Sequence, residues 1–180
     1  MREMSEVYSM YSLSRSEKKR LLERIKRKIP FLTTIPIDRA DVTILKTRRG
    51  FNLYRVDDRV LLWEVDDEIY PTILALLLYK IEIPKVVVDK GAVPHILNGA
   101  DVMRPGIVTF EGDFKKGDLV AICEEEKGRA IALGRALFSR MEIESMKRGN
   151  VVENLHNIKE RVWNFCLRCS RLSQYSTILF

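Results

Sequence analysis

The second half of the chain alternates short apolar runs with glycine-containing turns. The runs are "GIVTF", "DLVAICEE", "RAIALGRALF" and "NVVENLH", and the segments between them are "EGDFKKGD", "EEKG" and "MEIESMKRG". Short β-forming runs bounded by turn residues are typical of strands, and several of them at close spacing favour a sheet that closes on itself. The pattern therefore predicts a small, closed or nearly closed β-barrel.

A strand and a short helix are predicted just before these runs. The strand is "KVVVD", and the helix is "AVPHILN", in which Pro94 is tolerated because it falls in the first turn. Gly99 follows where a residue with positive φ ends many helices. Together with Gly91 and Gly106 it belongs to the stretch 89–108, whose polar side chains are scattered singly. Such a stretch is typical of a shaped surface rather than a reaction centre.

The first half begins with a strongly basic helix. Ser14 and Glu17 have the spacing of a capping box, and Pro30 closes the segment. The apolar residues Leu21, Leu22, Ile25 and Ile29 share one face at helical period. Residues 15–28 carry eight basic and two acidic side chains, so their net charge of +6 equals that of the whole chain. A solvated helix back and a nucleic-acid contact both agree with this charge. The residues predicted for a secondary basic surface are Lys19, Arg20, Arg24, Lys26 and Arg27 on the helix and Arg48 and Arg49 in a turn.

Three strand-like runs and a buried helix follow in the first half. The runs 41–47, 51–56 and 59–65 are separated by turn residues and predict a small antiparallel meander. "YPTILALLLYK" predicts a helix with Pro71 in its first turn, and "IEIPK" marks the expected domain boundary. We expect an N-terminal domain, a second domain and a C-terminal tail of unknown structure, at residues 1–83, 84–163 and 164–180.

Composition and motifs narrow the class of protein. The start of the chain lacks a signal-peptide pattern, and the longest apolar segment, "ILALLLY", is too short to span a bilayer, so we expect a cytoplasmic protein without a membrane partner. Three cysteines fit a reducing compartment, and the single glutamine among many charged residues favours a thermophile. No nucleotide-binding loop or nucleophile motif occurs, so we expect no enzyme and no cofactor. Cys166 and Cys169 have zinc-ligand spacing but no second pair nearby, so we expect no metal.

The segment "VDKGAVPHILNGADVMRPGIV" resembles the signature of a PUA domain, an RNA-binding module of pseudouridine synthases and archaeosine transglycosylases. The resemblance covers roughly residues 84 to 163 and implies a β-pseudobarrel with an RNA-contacting face. Exposed amides around Gly99 and Ala100 would donate hydrogen bonds to RNA, and the acidic "AICEEEKGR" would face away from phosphate. The residues implied for RNA binding are Lys90, Gly91, Ala92, His95, Gly99, Ala100, Arg104, Pro105 and Gly106.

A longer resemblance covers most of the chain. "EIYPTILALLLYKIEIPKVVVDKGAVPHILNGADVMRPG" and "GNVVENLHNIKERVW" are similar to the malignant T-cell-amplified sequence proteins and their archaeal relatives. That resemblance implies an α+β protein, with an N-terminal α/β domain that contains a small antiparallel sheet and a C-terminal PUA β-pseudobarrel. It implies RNA as partner, either tRNA or rRNA, together with the small ribosomal subunit and a density-regulated-like partner protein.

The sequence therefore predicts a non-catalytic RNA-binding protein of the translation apparatus, acting in initiation or ribosome recycling. Two alternatives stay open at this stage. The chain could be an RNA-targeting adaptor for a separate RNA-modification or ribosome-assembly enzyme. It could also be a protein-interaction module that has lost RNA binding.

Overall fold

The computed structural model of the 180-residue chain describes residues 6–170. Their contacts form two compact units. The first unit contains the described residues up to Ile81 and those from Asn164 onward, and the second unit is Glu82–Trp163. The described part of the predicted tail, residues 164–170, thus belongs to the first unit. The predicted tail end "YSTILF" lies outside the described residues.

The first unit is a five-stranded antiparallel sheet with helices. Its strand order is β1-β2-β3-β4-β5, so the sequence of the strands along the chain is also their order in the sheet. The predicted three-stranded meander is confirmed as β2, β3 and β4, and β1 and β5 extend it on either side. The elements are β1 Val7–Ser12, α1 Arg15–Lys28, a 3₁₀ turn at Pro30–Thr34, β2 Val42–Thr47, β3 Phe51–Val56, β4 Arg59–Val65, β5 Glu68–Pro71 and α2 Ile73–Leu78, with most of α5, Arg161–Cys169.

The capping box that the sequence predicts at the start of α1 is confirmed. The Glu17 carboxylate accepts a hydrogen bond from the Ser14 amide at 2.8 Å, and the Ser14 hydroxyl accepts one from the Glu17 amide at 3.3 Å. Leu21, Ile25 and Ile29 are buried, as the helical period predicts. The expectation that Pro71 opens α2 is wrong, because Pro71 ends the edge strand β5 and Thr72 caps the helix instead.

A buried carboxylate links α1 to the sheet. Glu64 in β4 accepts hydrogen bonds from the Tyr54 hydroxyl at 2.8 Å, from the Asn52 amide at 3.3 Å and from the Arg24 guanidinium. Burial by itself raises the pKa of Glu64, but these three hydrogen bonds and the Arg24 charge outweigh it, so the pKa lies below its ordinary value. Arg24 also donates to the Asp67 carbonyl. The helix is therefore fixed to the sheet by an ionised glutamate.

The second unit is a curled mixed sheet of six strands, which confirms the predicted PUA-type pseudobarrel. The strand order is β7-β11-β10-β9-β6-β8, and β6 with β9 is its one parallel pair among the described residues. Two elements were not predicted, the two-residue β7 and α4, which lies in a segment interpreted as a turn. The elements are β6 Lys85–Val88, α3 Val93–Leu97, β7 Val102–Met103, β8 Ile107–Glu111, β9 Leu119–Glu124, β10 Ala130–Ala136, α4 Arg140–Ser145 and β11 Asn150–Asn157. In residues 6–170 no helix has the length and apolar character needed to cross a membrane.

Gly134 in β10 is closely packed against side chains of the neighbouring strands. A Cβ atom at this position would lie 2.4 Å from Val152 Cγ1 and 3.0 Å from both Ile122 Cδ1 and the Glu153 carbonyl oxygen. Backbone and buried side chains together occupy the space, so the site has room for glycine alone. The register shift of β10 against β11 falls at the same residue.

We expect Gly134→Ala to destabilise the second unit by about 1–3 kcal/mol through overpacking. Native-state hydrogen exchange of the β9 and β10 amides would measure this loss. Val152→Ala removes the closest atom, so the double variant Gly134→Ala/Val152→Ala should be more stable than the sum of the single effects predicts. Additive effects would show that the contact with Val152 is not the cause.

Candidate nucleic-acid interface

The loop between β6 and β8 forms a recess around α3. At its start the Asp89 side chain accepts a hydrogen bond from the Ala92 amide at 2.8 Å, which turns the chain into the helix. The Asp89 amide donates to the Gly106 carbonyl at 2.9 Å, so the two ends of the loop are held together. The short 3₁₀ turn Arg104–Gly106 then leads into β8.

The three glycines of this loop have two different functions. A Cβ atom on Gly106 would lie 3.0 Å from the Ala92 Cβ, and one on Gly91 would lie 3.2 Å from the Asp89 carboxylate. These two glycines allow the helix start and the 3₁₀ turn to approach closely. Gly99 has open space around it but a φ of +93°, which glycine adopts without strain. The prediction that Gly99 ends the helix with positive φ is confirmed.

The expectation that the amides of Gly99 and Ala100 are available to RNA is wrong. The Gly99 amide donates to the Ile96 carbonyl at 3.0 Å, and the Ala100 amide donates to the His95 carbonyl, also at 3.0 Å. Both amides therefore complete the C-terminal turn of α3, where unpaired helix carbonyls need donors. Any contact of these residues with a ligand has to use other atoms.

Asn154 in β11 holds this loop in place. Its side-chain amide donates to the Ile96 carbonyl at 2.8 Å and to the Ala100 carbonyl at 3.0 Å. In return, the Asp101 carboxylate accepts from the Asn154 backbone amide at 2.9 Å. Sequence reasoning missed Asn154 because it lies more than fifty residues away from the loop, in an ordinary strand pattern.

A pocket of about 540 Å³ opens between α3 and the 3₁₀ turn. It brings together six of the nine residues that the sequence predicted for RNA binding, and Lys90, Gly99 and Arg104 are not among its lining. His95 and Pro105 are exposed at its wall, and Met103, which sequence reasoning missed, is 49% exposed beside them. The predicted residues in the lining are Gly91, Ala92, His95, Ala100, Pro105 and Gly106.

Lys90 is bound to the acidic turn that follows β9. Its amide donates to Glu125 at 3.1 Å, and its ammonium lies 3.3 Å from the Glu126 carboxylate. The predicted RNA-binding residue Lys90 therefore lies against the acidic edge, and the expectation that this edge faces away from phosphate stays a prediction. The reason for this contact is the parallel pairing of β6 and β9, which places Val88 opposite Glu124, so the residues after both strands meet at one end of the sheet.

The Arg104 guanidinium donates to backbone carbonyls of its own unit. Its Nε donates to the Ile143 carbonyl of α4 at 2.8 Å, and a terminal nitrogen donates to the Ile107 carbonyl at 3.4 Å. Arg104 therefore fixes the 3₁₀ turn against α4, and a contact of this residue with RNA stays a prediction. Other cations are placed near the pocket: Lys147 and Arg148 are exposed and directly precede Gly149, whose carbonyl accepts from the Arg104 amide.

The cations of α1 fall into two groups. Three of them face the rest of the first unit: Arg24 contacts Glu64, Lys28 contacts Glu68, and Lys18 donates to the Ala40 carbonyl at 3.0 Å. The other group is exposed and forms no ion pair with any residue in the described range 6–170. Its members are Arg15, Lys19, Arg20, Lys26 and Arg27.

The two turn arginines of the predicted basic surface also have partners. Arg49 pairs with Glu6 at 2.6 Å, and this bond raises the pKa of its guanidinium. Arg48 is exposed, with its guanidinium carbon 6.0 Å from the centre of the Tyr8 ring. Among residues 6–170, the cations of the predicted surface that are exposed and form no ion pair are therefore Lys19, Arg20, Lys26, Arg27 and Arg48.

The cysteines give no metal-binding arrangement in the described chain. Cys166 is buried on α5, and Cys123 is buried in the second unit, where burial raises the pKa of its thiol to about 11. Residues 6–170 contain no group of three or more histidine, cysteine, aspartate or glutamate side chains that could hold a metal ion.

Two family models match the chain, one for each unit. The model described as "PUA domain" matches residues 84–158, and the model described as "Domain of unknown function (DUF1947)" matches residues 9–79. The crystal structure of a PUA domain from Aeropyrum pernix K1 has 30% sequence identity and a TM-score of 0.76, over 89% of this chain and 92% of that chain. These matches define a two-domain protein with a C-terminal PUA domain.

Relatives along the full length identify the family. An uncharacterized protein of Methanocaldococcus jannaschii is 31% identical over 160 residues, which is 89% of this chain and 98% of that protein. Translation machinery-associated protein 20 of Saccharomyces cerevisiae is 28% identical, over 86% of this chain and 88% of its own. Malignant T-cell-amplified sequence 1 of Rattus norvegicus is also 28% identical, over 85% and 86%. The chain belongs to the family that includes the malignant T-cell-amplified sequence proteins, translation machinery-associated protein 20 and archaeal PUA proteins.

A shorter match concerns an enzyme. A probable tRNA pseudouridine synthase B of Pyrobaculum aerophilum is 39% identical over 116 residues, which is 58% of this chain but 34% of that protein. The matched segment thus makes up about a third of that synthase.

The structure predicts a large effect for one cation of α1 and almost none for its neighbour. Arg24→Ala leaves the buried Glu64 carboxylate without its cation, so we expect the free energy of unfolding of the first unit to fall by about 1–3 kcal/mol. Lys26→Ala removes an exposed charge and should change it by no more than about 0.5 kcal/mol. Urea unfolding followed by Trp63 fluorescence, in a Trp163→Phe background, would measure both.

The effect of Arg24→Ala should depend on pH. The lowered pKa of Glu64 contributes stability that is complete above the unfolded-state pKa of glutamate, about 4.3, and is lost as the pH falls through the folded-state value. The difference between wild type and Arg24→Ala should therefore be largest near neutral pH and shrink in acid. A difference that is independent of pH would contradict the assignment of an ionised Glu64.

Proposed function

We propose that this protein is a non-catalytic RNA-binding protein of the translation apparatus. The pocket beside α3 binds the unpaired end of a structured RNA, either a tRNA acceptor end or rRNA, in initiation or ribosome recycling. The observation that carries this proposal is the pocket itself, which lies within the PUA match and is lined by glycines, small side chains and one exposed histidine.

The shape and chemistry of the pocket suit unpaired nucleotides. Proteins read RNA specifically at single-stranded ends and loops, where unstacked bases reach aromatic or planar side chains. Gly91, Ala92 and Ala100 leave room for a base to approach the backbone, and His95 with Met103 offers surfaces against which a base packs. Asp89 and Asp101 place carboxylates at the lining, which accept hydrogen bonds from base amino groups but repel phosphates.

Phosphate contacts come from the rim and from the other unit. Lys147 and Arg148 adjoin the 3₁₀ turn, and the Lys159 ammonium lies 3.1 Å from Asn98 at the end of α3. The exposed cations of α1 supply a second electrostatic contact with RNA. Each phosphate that these side chains neutralise releases counterions, so a small number of contacts gives useful affinity at physiological salt.

One relative, which matches 86% of this chain, is named translation machinery-associated protein 20, and this name supports the translation setting. We infer that the small ribosomal subunit is the assembly on which the protein acts in the cytoplasm, with a density-regulated-like protein as a partner. The mechanism is positioning of RNA without covalent chemistry.

An RNA-targeting adaptor for a separate modification enzyme is the second candidate. The partial match to a probable tRNA pseudouridine synthase supports it, since the matched segment there belongs to an enzyme chain. In a pull-down from cell extract, recovery of a modification or ribosome-assembly enzyme would favour the adaptor. Recovery of small subunits or initiation components would favour the first proposal.

Filling the pocket tests its role directly. Ala100 is exposed, lines the pocket and uses its backbone rather than its side chain for structure, so Ala100→Trp should fold normally. We expect it to weaken binding of intact tRNA by about tenfold or more, and Ala100→Ser to have little effect. Gel-shift titration with intact tRNA and with tRNA whose 3′ end is trimmed would measure this. Wild-type affinity in Ala100→Trp would contradict a pocket site.

Charge reversal at the rim tests the phosphate contacts. Lys147→Glu/Arg148→Glu should weaken RNA binding and lower the slope of log affinity against log salt by roughly 0.7 for each phosphate that is no longer neutralised. Lys115→Glu/Lys116→Glu is the matched control, because it changes the net charge equally at the opposite end of β8. If both pairs of substitutions weaken RNA binding equally, the lysines and arginines act through the overall charge of the protein rather than through phosphate contacts at the rim.

A further inference from the structure

The first unit contains an open groove between α1 and the sheet that the proposed function does not use. It has a volume of about 250 Å³. Leu13, Leu21 and Ile44 form its apolar part, and the rings of Tyr11 and Tyr54 stand beside them. Arg20, Arg24 and Glu17 supply the polar lining, so the groove combines aromatic, apolar and charged groups.

The groove stays open because its long polar side chains are held elsewhere. Glu17 is folded back onto the helix start, where its carboxylate accepts from the Ser14 amide at 2.8 Å and from the Ser14 hydroxyl at 2.7 Å. Arg24 is drawn toward Glu64 and the Asp67 carbonyl. Glu17 and Arg24 are therefore unable to close the space over Ile44. The carboxylates of Glu17 and Glu64 already accept hydrogen bonds.

The groove presents an aromatic ring with cations, beside the Glu17 carboxylate whose charge interacts with Arg20 and Lys46. Tyr11 is 40% exposed, and the Lys46 ammonium lies 5.5 Å from the centre of its ring. Arg20 is exposed at the lining and forms no hydrogen bond or ion pair with the described residues 6–170. An aromatic platform next to cations is the arrangement with which proteins hold single-stranded nucleic acid, through stacking and phosphate contacts.

We propose that this groove binds one unpaired nucleotide of an RNA, whose base stacks on Tyr11 over the apolar floor and whose phosphate contacts Arg20 and Lys46. The inference rests on the RNA contact proposed above for the first unit and specifies its chemistry. Charge alone does not distinguish single-stranded from paired RNA, whereas a ring that stacks with an unpaired base does.

A free mononucleotide has the same chemical groups, but the arrangement of the cations along α1 favours RNA. The groove adjoins the exposed α1 cations Arg20, Lys19 and Arg27, which extend the positive charge along the helix well beyond a single nucleotide. A polymer with several phosphates uses that whole surface, whereas a mononucleotide uses one end of it.

The test uses the full chain with Ala100→Trp, so that the pocket of the second unit is blocked. Binding of a ten-nucleotide single-stranded RNA and of a blunt RNA hairpin is measured by fluorescence anisotropy. We expect Tyr11→Ala to weaken single-strand binding roughly 5- to 100-fold and to leave hairpin binding unchanged. Tyr11→Phe should keep the affinity, because the ring is retained.

Tyr8→Ala is the matched control. Tyr8 lies on the same strand, is 57% exposed and also has a cation near its ring, but it does not line the groove. Its removal should leave single-strand binding within about twofold. Equal losses in Tyr8→Ala and Tyr11→Ala would overturn a site at the groove, as would wild-type affinity in Tyr11→Ala.

Two further measurements separate the possible failures. If Lys26→Glu/Arg27→Glu weakens RNA binding and Tyr11→Ala does not, the groove proposal fails and the RNA contact of the first unit stands. If neither change matters, both fail. Adenosine monophosphate that binds in a Tyr11-dependent way, with no Tyr11-dependent binding of the oligonucleotide, would overturn RNA as the occupant.

Discussion

The candidate interface depends on the reciprocal hydrogen bonds between Asn154 and the end of α3. The Gly99 and Ala100 amides bond back to α3, which shapes the end of this helix but does not join it to the sheet. The Asn154 side chain supplies two donors in one plane to two carbonyls, and Asp101 returns an acceptor to its backbone. Because β11 lies inside the curled sheet, between β7 and β10, this arrangement joins the pocket wall to an interior strand of the second unit.

In the first unit, the bonds that stabilise the fold also decide which cations of α1 remain unpaired. Glu64 pairs with the half-buried Arg24, the Ala40 carbonyl accepts from Lys18, and Glu68 pairs with Lys28, which stays exposed. The exposed cations of α1 that form no ion pair within residues 6–170 are therefore fewer than the sequence suggests, and they lie on one side of the helix. The pairing of Arg24 with Glu64 also leaves the groove over Ile44 open, so a bond that fixes the helix to the sheet creates a concave surface next to free cations.

Local signals were predictable where neighbouring residues decide the structure. The capping box at Ser14, the meander β2–β4 and the positive φ of Gly99 all follow from interactions within about four residues or from regular alternation. β1, with the polar pattern "VYSMYS", and the very short β5 carried too weak an alternation to be found. α4 was missed although Ser139 and Glu142 form a second capping box, because its six residues were interpreted as a connection between strands.

The sequence by itself determined the bounds of α1, the PUA resemblance of residues 84 to 163 and the glycine positions around the pocket, because these depend on backbone geometry and near neighbours. Only the tertiary structure decided which charges are available. The parallel pairing of β6 with β9 brings the acidic turn to Lys90, and the Arg104 guanidinium finds an acceptor in α4. A polar group takes whichever partner the fold brings within about 3 Å, and the partners of Lys90 and Arg104 in the acidic turn and α4 lie 35 and 39 residues away along the chain.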